Sequence, residues 1–106
     1  MKKFVLVLTT VPDEEKGLEI ARQLVEERLA ACVTISSACQ SLYWWKEKIS
    51  QDKEYLLHIK TKGSLYPQLE KRIKELHPYQ VPEILALPIL RGQPDYLRWV
   101  EDETRG

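Results

Sequence analysis

The chain has 106 residues, a length that suits one domain built around one modest core. Sixteen basic residues balance sixteen acidic ones, so the net charge is zero and the basic excess of a general nucleic-acid binder is missing. Apolar residues make up 43%, and neither repeats nor low-complexity tracts occur, which excludes solenoids and disordered chains.

Met1-Lys2-Lys3 ahead of Phe4-Val5-Leu6-Val7-Leu8 is similar to the opening of a signal peptide. The apolar run stops at Thr9, however, and Asp13-Glu14-Glu15 follows without a small-residue cleavage site. An interior strand is the expectation, with Phe4, Leu6 and Leu8 on one face and Val5 and Val7 on the other. No run is long enough to span a bilayer. A cytoplasmic protein without membrane contacts is therefore expected. Val11-Pro12 ends the strand, and the three acidic residues suit the positive end of a helix. Leu18, Ala21, Val25 and Leu29, with Leu24 beside them, predict one buried stripe. Gly17 is a weak point there, costing about 1 kcal/mol relative to alanine inside a helix.

Ala31 to Ser36 alternates, with Ala31, Val33 and Ile35 inward and Cys32, Thr34 and Ser36 outward. After a kink at Ser36-Ser37-Ala38, Ser41 to Trp45 continues extended. Tyr43 and Trp45 share one face, Leu42 and Trp44 the other. At about 3.3 Å per residue, Cys32 and Cys39 stand roughly 23 Å apart along an extended chain. That is beyond disulfide reach unless the chain bends sharply, so both are expected as free thiols in a reducing compartment. Lys46 to Asp52 reads as a hairpin tip. Glu54 to Thr61 returns as a strand, Tyr55, Leu57 and Ile59 on one face and Leu56, His58 and Lys60 on the other.

Gly63-Ser64 starts a second helix, with Ser64 as N-cap, Pro67 in the first turn, and Leu65, Leu69, Ile73 and Leu76 as its apolar stripe. Pro78 disfavours helical geometry at His77 and stops it. Through Ile89 the chain then reads as a strand apolar on both faces, Ile84 and Ala86 against Leu85, Leu87 and Ile89, bracketed by Pro82 and Pro88. His77, Tyr79, Gln80 and Glu83 gather just ahead of it, and this turn is the first candidate site. Gly92-Gln93-Pro94 opens a short helix in which Leu97, Trp99 and Val100 are the packing residues, and Glu101 to Gly106 reads as a polar tail. The order is the β-α-β-β-α-β of a ferredoxin-like α+β sandwich, extended by a long middle hairpin and a short C-terminal helix. The first and last strands are expected at its centre. Tyr43, Trp44 and Trp45 put rings on both faces of a peripheral hairpin, which predicts that a second copy of the chain covers them.

No nucleophile elbow, Walker loop, GxGxxG, HExxH or paired CxxC is present. His77 ends a helix, where the dipole favours its cationic form; metal ligand, proton-transfer group and helix stop are all open to it. His58 reads as an ordinary strand histidine, and Cys32 as a small buried hydrophobe before a ligand. Lys60-Thr61-Lys62 offers a grip for an anion, or simply solvated lysines. Tyr43 and Trp45 are interface anchors before they are a stacking platform. Glu83 needs a partner if it is buried. One chain supplies too few converging donors for a soft or borderline metal, whereas an oligomer multiplies them.

Four motifs carry a family resemblance: Glu27-Arg28-Leu29-Ala30-Ala31-Cys32-Val33, Ser41-Leu42-Tyr43-Trp44-Trp45, Leu57-His58-Ile59-Lys60-Thr61 and His77-Pro78-Tyr79-Gln80-Val81-Pro82-Glu83-Ile84. Their order and spacing, from Phe4 to about Trp99, resemble the CutA divalent-cation-tolerance family. The resemblance implies a ferredoxin-like subunit in a homotrimer similar to the PII signalling proteins, with no enzymatic activity and no required cofactor. Cu2+ or another divalent metal is the ligand it implies, with His77, Cys32 and Glu83 as the donors. Tyr43, Trp45, Lys60 and Tyr79 fit its recurrent positions at a subunit interface or cleft. A PII-like trimer holding a small anion or a partner protein in such clefts is the alternative it leaves open. Thr9 and Leu76 stand where a copper-linked member has a cysteine and a second histidine. Ser37-Ala38, Glu47 and Gln80 replace a usual Pro-Gly, a common glycine and a frequent glutamate.

Overall fold

The computed structural model describes residues 3–106; Met1 and Lys2, from the basic start, lie outside the described residues. In chain order the elements are β1 (Phe4–Val11), α1 (Glu14–Glu26), β2 (Cys32–Ile35), β3 (Cys39–Trp45), β4 (Lys48–Lys62), α2 (Tyr66–Leu76), β5 (Leu85–Pro88) and α3 (Pro94–Asp102). The strands pair antiparallel in the order β2-β4-β1-β5, and β3 pairs with the first half of β4. This is the ferredoxin-like sandwich, with its second strand broken in two. Ser36 makes the break: its N–H donates to the Leu56 carbonyl and its Oγ accepts from the Leu56 N–H, both at 2.9 Å.

Residues directly opposite one another in an antiparallel pair share a face. Val5, Val7, Thr9 and Val11 therefore line up with Thr61, Ile59, Leu57 and Tyr55 on one face, which Val33 and Ile35 extend. Ile20 and Leu24 of α1 and Leu69 and Ile73 of α2 are buried in the same core. Each such side chain contributes about 1.5–3 kcal/mol by leaving water. The opposite face carries Leu6, Leu8, Leu85, Leu87, His58, Lys60, Cys32 and Thr34. Helix α3 reaches it at the Phe4 end, where Val100 packs with Phe4, Ala31, Leu97 and Ile89.

Several expectations need correction. The α1 stripe is Gly17, Ile20, Ala21 and Leu24, while Leu18 is 57% exposed and Val25 also faces solvent. The phase was set wrongly because Gly17 carries no apolar side chain to count. A Cβ there would meet Val11 Cγ2 at 3.1 Å, so the glycine lets α1 lie close to the sheet. β5 is an edge strand, not a central one, because β1 and β4 occupy the middle. It is also short, and 77–84 is not strand. The hairpin tip is only Lys46 and Glu47, at φ 50° and 66°, the two positive values of a type I′ turn. Ser64 makes no side-chain cap; a 3-10 turn over Gly63–Leu65 leads into α2, with proline in its first turn as expected. Trp99 lies exposed rather than packed. The tail is tied down: Thr104 Oγ1 donates to the Val100 carbonyl at 2.9 Å, and the Arg105 N–H to the Arg28 carbonyl at 3.0 Å. No helix among the described residues is long and apolar enough to cross a membrane.

Candidate functional site

Pro78 forces His77 out of the helix, to φ −77° and ψ 137°. The imidazole turns inward and is 8% exposed. Its Nδ1 accepts from the Tyr79 N–H at 3.1 Å, so Nε2 must carry the proton and donate to the Thr10 carbonyl at 2.7 Å. Burial holds its pKa below the usual histidine value, outweighing the Thr10 carbonyl and the Glu54 charge, which pull the other way. The expectation of a dipole-favoured cation is overturned. His77 is a neutral clamp that ties the end of α2 to β1.

Tyr79 lies over His77, ring centroids 4.8 Å apart, and its hydroxyl donates to Glu54 Oε2 at 2.7 Å. Burial, then the hydrogen bond and charge of Glu54, push its phenol pKa far above the usual tyrosine value. It stays a proton donor. Glu54 is 6% exposed, at the point where β4 passes from the hairpin into the main sheet. Its backbone carbonyl accepts from Cys39 Sγ at 3.2 Å.

Between the hairpin and the 77–83 turn lies a cleft of about 640 Å³, with Ser41, Tyr43 and Trp45 on one side, Tyr79 and Glu83 on the other and Glu54 among its lining. The register explains the division of labour in the hairpin. Ser41, Tyr43 and Trp45 share a face with Asp52 and Glu54, whereas Leu42 and Trp44 share the reverse face with Ile49. The Tyr43 hydroxyl donates to the Asp52 carboxylate, which raises the Tyr43 pKa.

Four of the expected residues, Tyr43, Trp45, Tyr79 and Glu83, thus line one cleft. Lys60 and Cys32 do not. They pair with each other across β2 and β4, level with Leu6, which is four residues along β1 from the Thr10 that holds His77. That offset is about 13 Å along the strand. Lys60 Nζ donates to Thr34 Oγ1 at 2.8 Å, and Thr61 Oγ1 to the Leu29 carbonyl at 2.6 Å. Cys32 is half-exposed instead of buried, with Sγ 3.8 Å from Thr34 Oγ1. Both cysteines are free. His77, Cys32 and Glu83 are not brought together, and no group of three or more metal-binding side chains exists among the described residues. Within one chain the donors do not fit a divalent metal. Glu54 and Asp52 were missed by sequence reasoning; the only signal was a pair of carboxylates just ahead of the alternating run Tyr55 to Thr61.

A family model for the CutA1 divalent ion tolerance protein matches residues 5–103. The chain belongs to the CutA divalent-cation-tolerance family. It is 50% identical over 99 residues to the divalent-cation tolerance protein CutA of Thermus thermophilus, covering 93% of this chain and 96% of that one. The solved structure of the Thermus thermophilus divalent cation tolerance protein superposes with a TM-score of 0.94 at 49% identity, over 96% of this chain and 99% of the other. Mouse Protein CutA is 48% identical over 95 residues, and the match spans 90% of this chain but only 54% of the mouse protein. The motifs that carry the resemblance, Ala30-Ala31-Cys32-Val33 and His77-Pro78-Tyr79-Gln80-Val81-Pro82-Glu83, lead into β2 and form the turn beside the cleft.

Proposed function

We propose that this CutA chain works as a cytoplasmic homotrimer that binds Cu2+ or another divalent cation weakly, through donors drawn from more than one subunit. The observation that carries this reading is the apolar surface one chain leaves uncovered. Leu85, 53% exposed, and Leu87 flank Leu6 and Leu8 on the open sheet face, and Leu42, Trp44 and Ile49 cover the reverse of the hairpin. Soluble monomers rarely leave contiguous apolar surface of this kind in water, and closed symmetric assembly covers it with copies of itself. Metal binding then depends on assembly, because the half-exposed Cys32 and the cleft-lining Glu83 lie apart within one subunit. His77 would have to give up its bond to Thr10 or Tyr79 to serve as a ligand, which keeps the affinity low. The PII-like alternative, a small anion or partner protein in clefts between subunits, would draw on Lys60, Tyr43 and Glu83; the cleft within one chain carries carboxylates and no Lys, Arg or His.

Light scattering at micromolar concentration should give three times the 12.4 kDa mass of the chain; a monodisperse monomer would sink the assembly. Copper titration at matched pH should weaken in Cys32→Ser and fade on acidification, as the donors protonate. Equal affinity in wild type, Cys32→Ser and His77→Ala would remove those donors from the reading. Cell fractionation checks the compartment, which rests on the two unpaired thiols.

A further inference from the structure

Glu54 and Glu83 line the cleft between the hairpin and the 77–83 turn, and Asp52 lies on the same hairpin face as Tyr43. Glu54 receives the Tyr79 hydroxyl on Oε2, and among the described residues no protein group donates to its Oε1. Asp52 receives the Tyr43 hydroxyl. Glu83 lines the cleft from the opposite side. None of the three enters an ion pair among the described residues. A carboxylate as buried as Glu54 is costly to hold with one phenol as its partner. The walls add a second preference of the same sign. Tyr43, Trp45 and Tyr79 bring aromatic rings to the lining, and ring faces attract cations. Both preferences point to a positive ligand, and the rings ask that it carry an apolar body. A bare metal ion suits the cleft poorly, because three converging donors are missing and rings do not ligate hard cations. The volume of about 640 Å³ is that of a small-molecule site. The walls are also held before any ligand arrives, since Tyr79 is fixed by Glu54 and Tyr43 by Asp52.

We propose that this cleft is a binding site for a small organic ammonium ion, its charge on Glu54 and its apolar body between Tyr43, Trp45 and Tyr79. The ammonium N–H groups meet the open Oε1 of Glu54, and Glu83 adds charge at the opposite wall. The proposal shares Glu83 with the metal reading but uses neither Cys32 nor His77 as a ligand, and titration in chelator separates the two.

Calorimetric titration of the assembled full-length protein, in chelator, with benzylammonium, benzyl alcohol and benzoate tests it. The three probes share one ring and differ in charge. Benzylammonium should bind saturably, at least tenfold more tightly than benzyl alcohol, with no binding of benzoate, and its affinity should fall as salt rises. Glu54→Gln should weaken benzylammonium tenfold or more while leaving benzyl alcohol unchanged. If Glu54→Gln fails to fold by circular dichroism, Glu83→Gln at the exposed wall carries the charge test, with an expected loss of about threefold. Equal binding of the three probes overturns the proposal. So does an absence of saturation by about 10 mM, a concentration that fills a millimolar site. Binding that needs added Cu2+ would also overturn it, and would move the cleft into the metal reading.

Discussion

Thr9 sits fully buried in β1 with its Oγ1 lacking any hydrogen-bond partner among the described residues. Leaving a buried hydroxyl unpaired costs about 1–3 kcal/mol, whereas a methyl of the same shape costs nothing there. Thr9→Val should therefore raise stability by about 1 kcal/mol, read as a higher urea midpoint at fixed protein concentration; a lower midpoint would mean the hydroxyl has a partner. The sequence hides this, because threonine in a strand is an ordinary β-former. It hides the state of His77 as well. The helix stop and the polar cluster around it were legible from Pro78, but its tautomer depends on Thr10, 67 residues away. The pH consequence follows from the direction of the shift. Burial lowers the folded pKa of His77 below its unfolded value near 6.5, so the unfolded chain takes the proton more readily. Stability is intact above that value and falls as pH drops below it toward the lowered folded pKa. Glu27, held low by Arg72, loses its contribution only below the 4.5 of a free glutamate, in a separate window. Thermal melts should show a shallower loss over the upper window for His77→Gln than for wild type. Equal slopes would assign the titration to another group.

At the scale of elements, alternation and helical period were enough to find every long strand and helix, because those patterns follow the burial of one face. What they could not supply was phase or position. The α1 stripe was misplaced by one residue because a glycine occupies a core position, and β5 was put at the centre although two apolar faces fit a subunit interface as well as a domain core. The hairpin tip was drawn too wide because Lys46-Glu47 carries none of the Asn-Gly or Asp-Gly signal of a two-residue turn. Both residues are forced to positive φ, at about 1–2 kcal/mol each for a side-chain-bearing residue. Glycine relieves that strain but also loosens the unfolded chain. Glu47→Gly should thus stabilise by about 0.5–1 kcal/mol, with slower amide exchange across Trp44 to Ile49. No change in either would show that the tip conformation is strain-free as it stands.

The hairpin gives the molecule its length, 44 Å against 26 and 24 Å in the other directions. Its two faces are chemically different, and alternation already separates Tyr43 and Trp45 from Leu42 and Trp44 in the sequence; which face meets the cleft is set by the fold. Rings on both sides were legible, and both were assigned to self-association. The register turns Tyr43 and Trp45 toward the cleft and leaves Leu42, Trp44 and Ile49 on the reverse, where Trp44 is 72% exposed. Assembly should accordingly depend on the reverse face. Trp44→Asp would bury an unpaired charge if a neighbouring subunit covers that face, a change that costs about 3–5 kcal/mol. The folded chain itself loses little, because Trp44 touches no core cluster. Light scattering should then show a smaller particle with unchanged circular dichroism, and a paired Trp45→Ala should keep the full mass while weakening benzylammonium. Should Trp44→Asp assemble normally, the hairpin lies free in solution and the open sheet face around Leu85 and Leu87 must hold the subunits together alone.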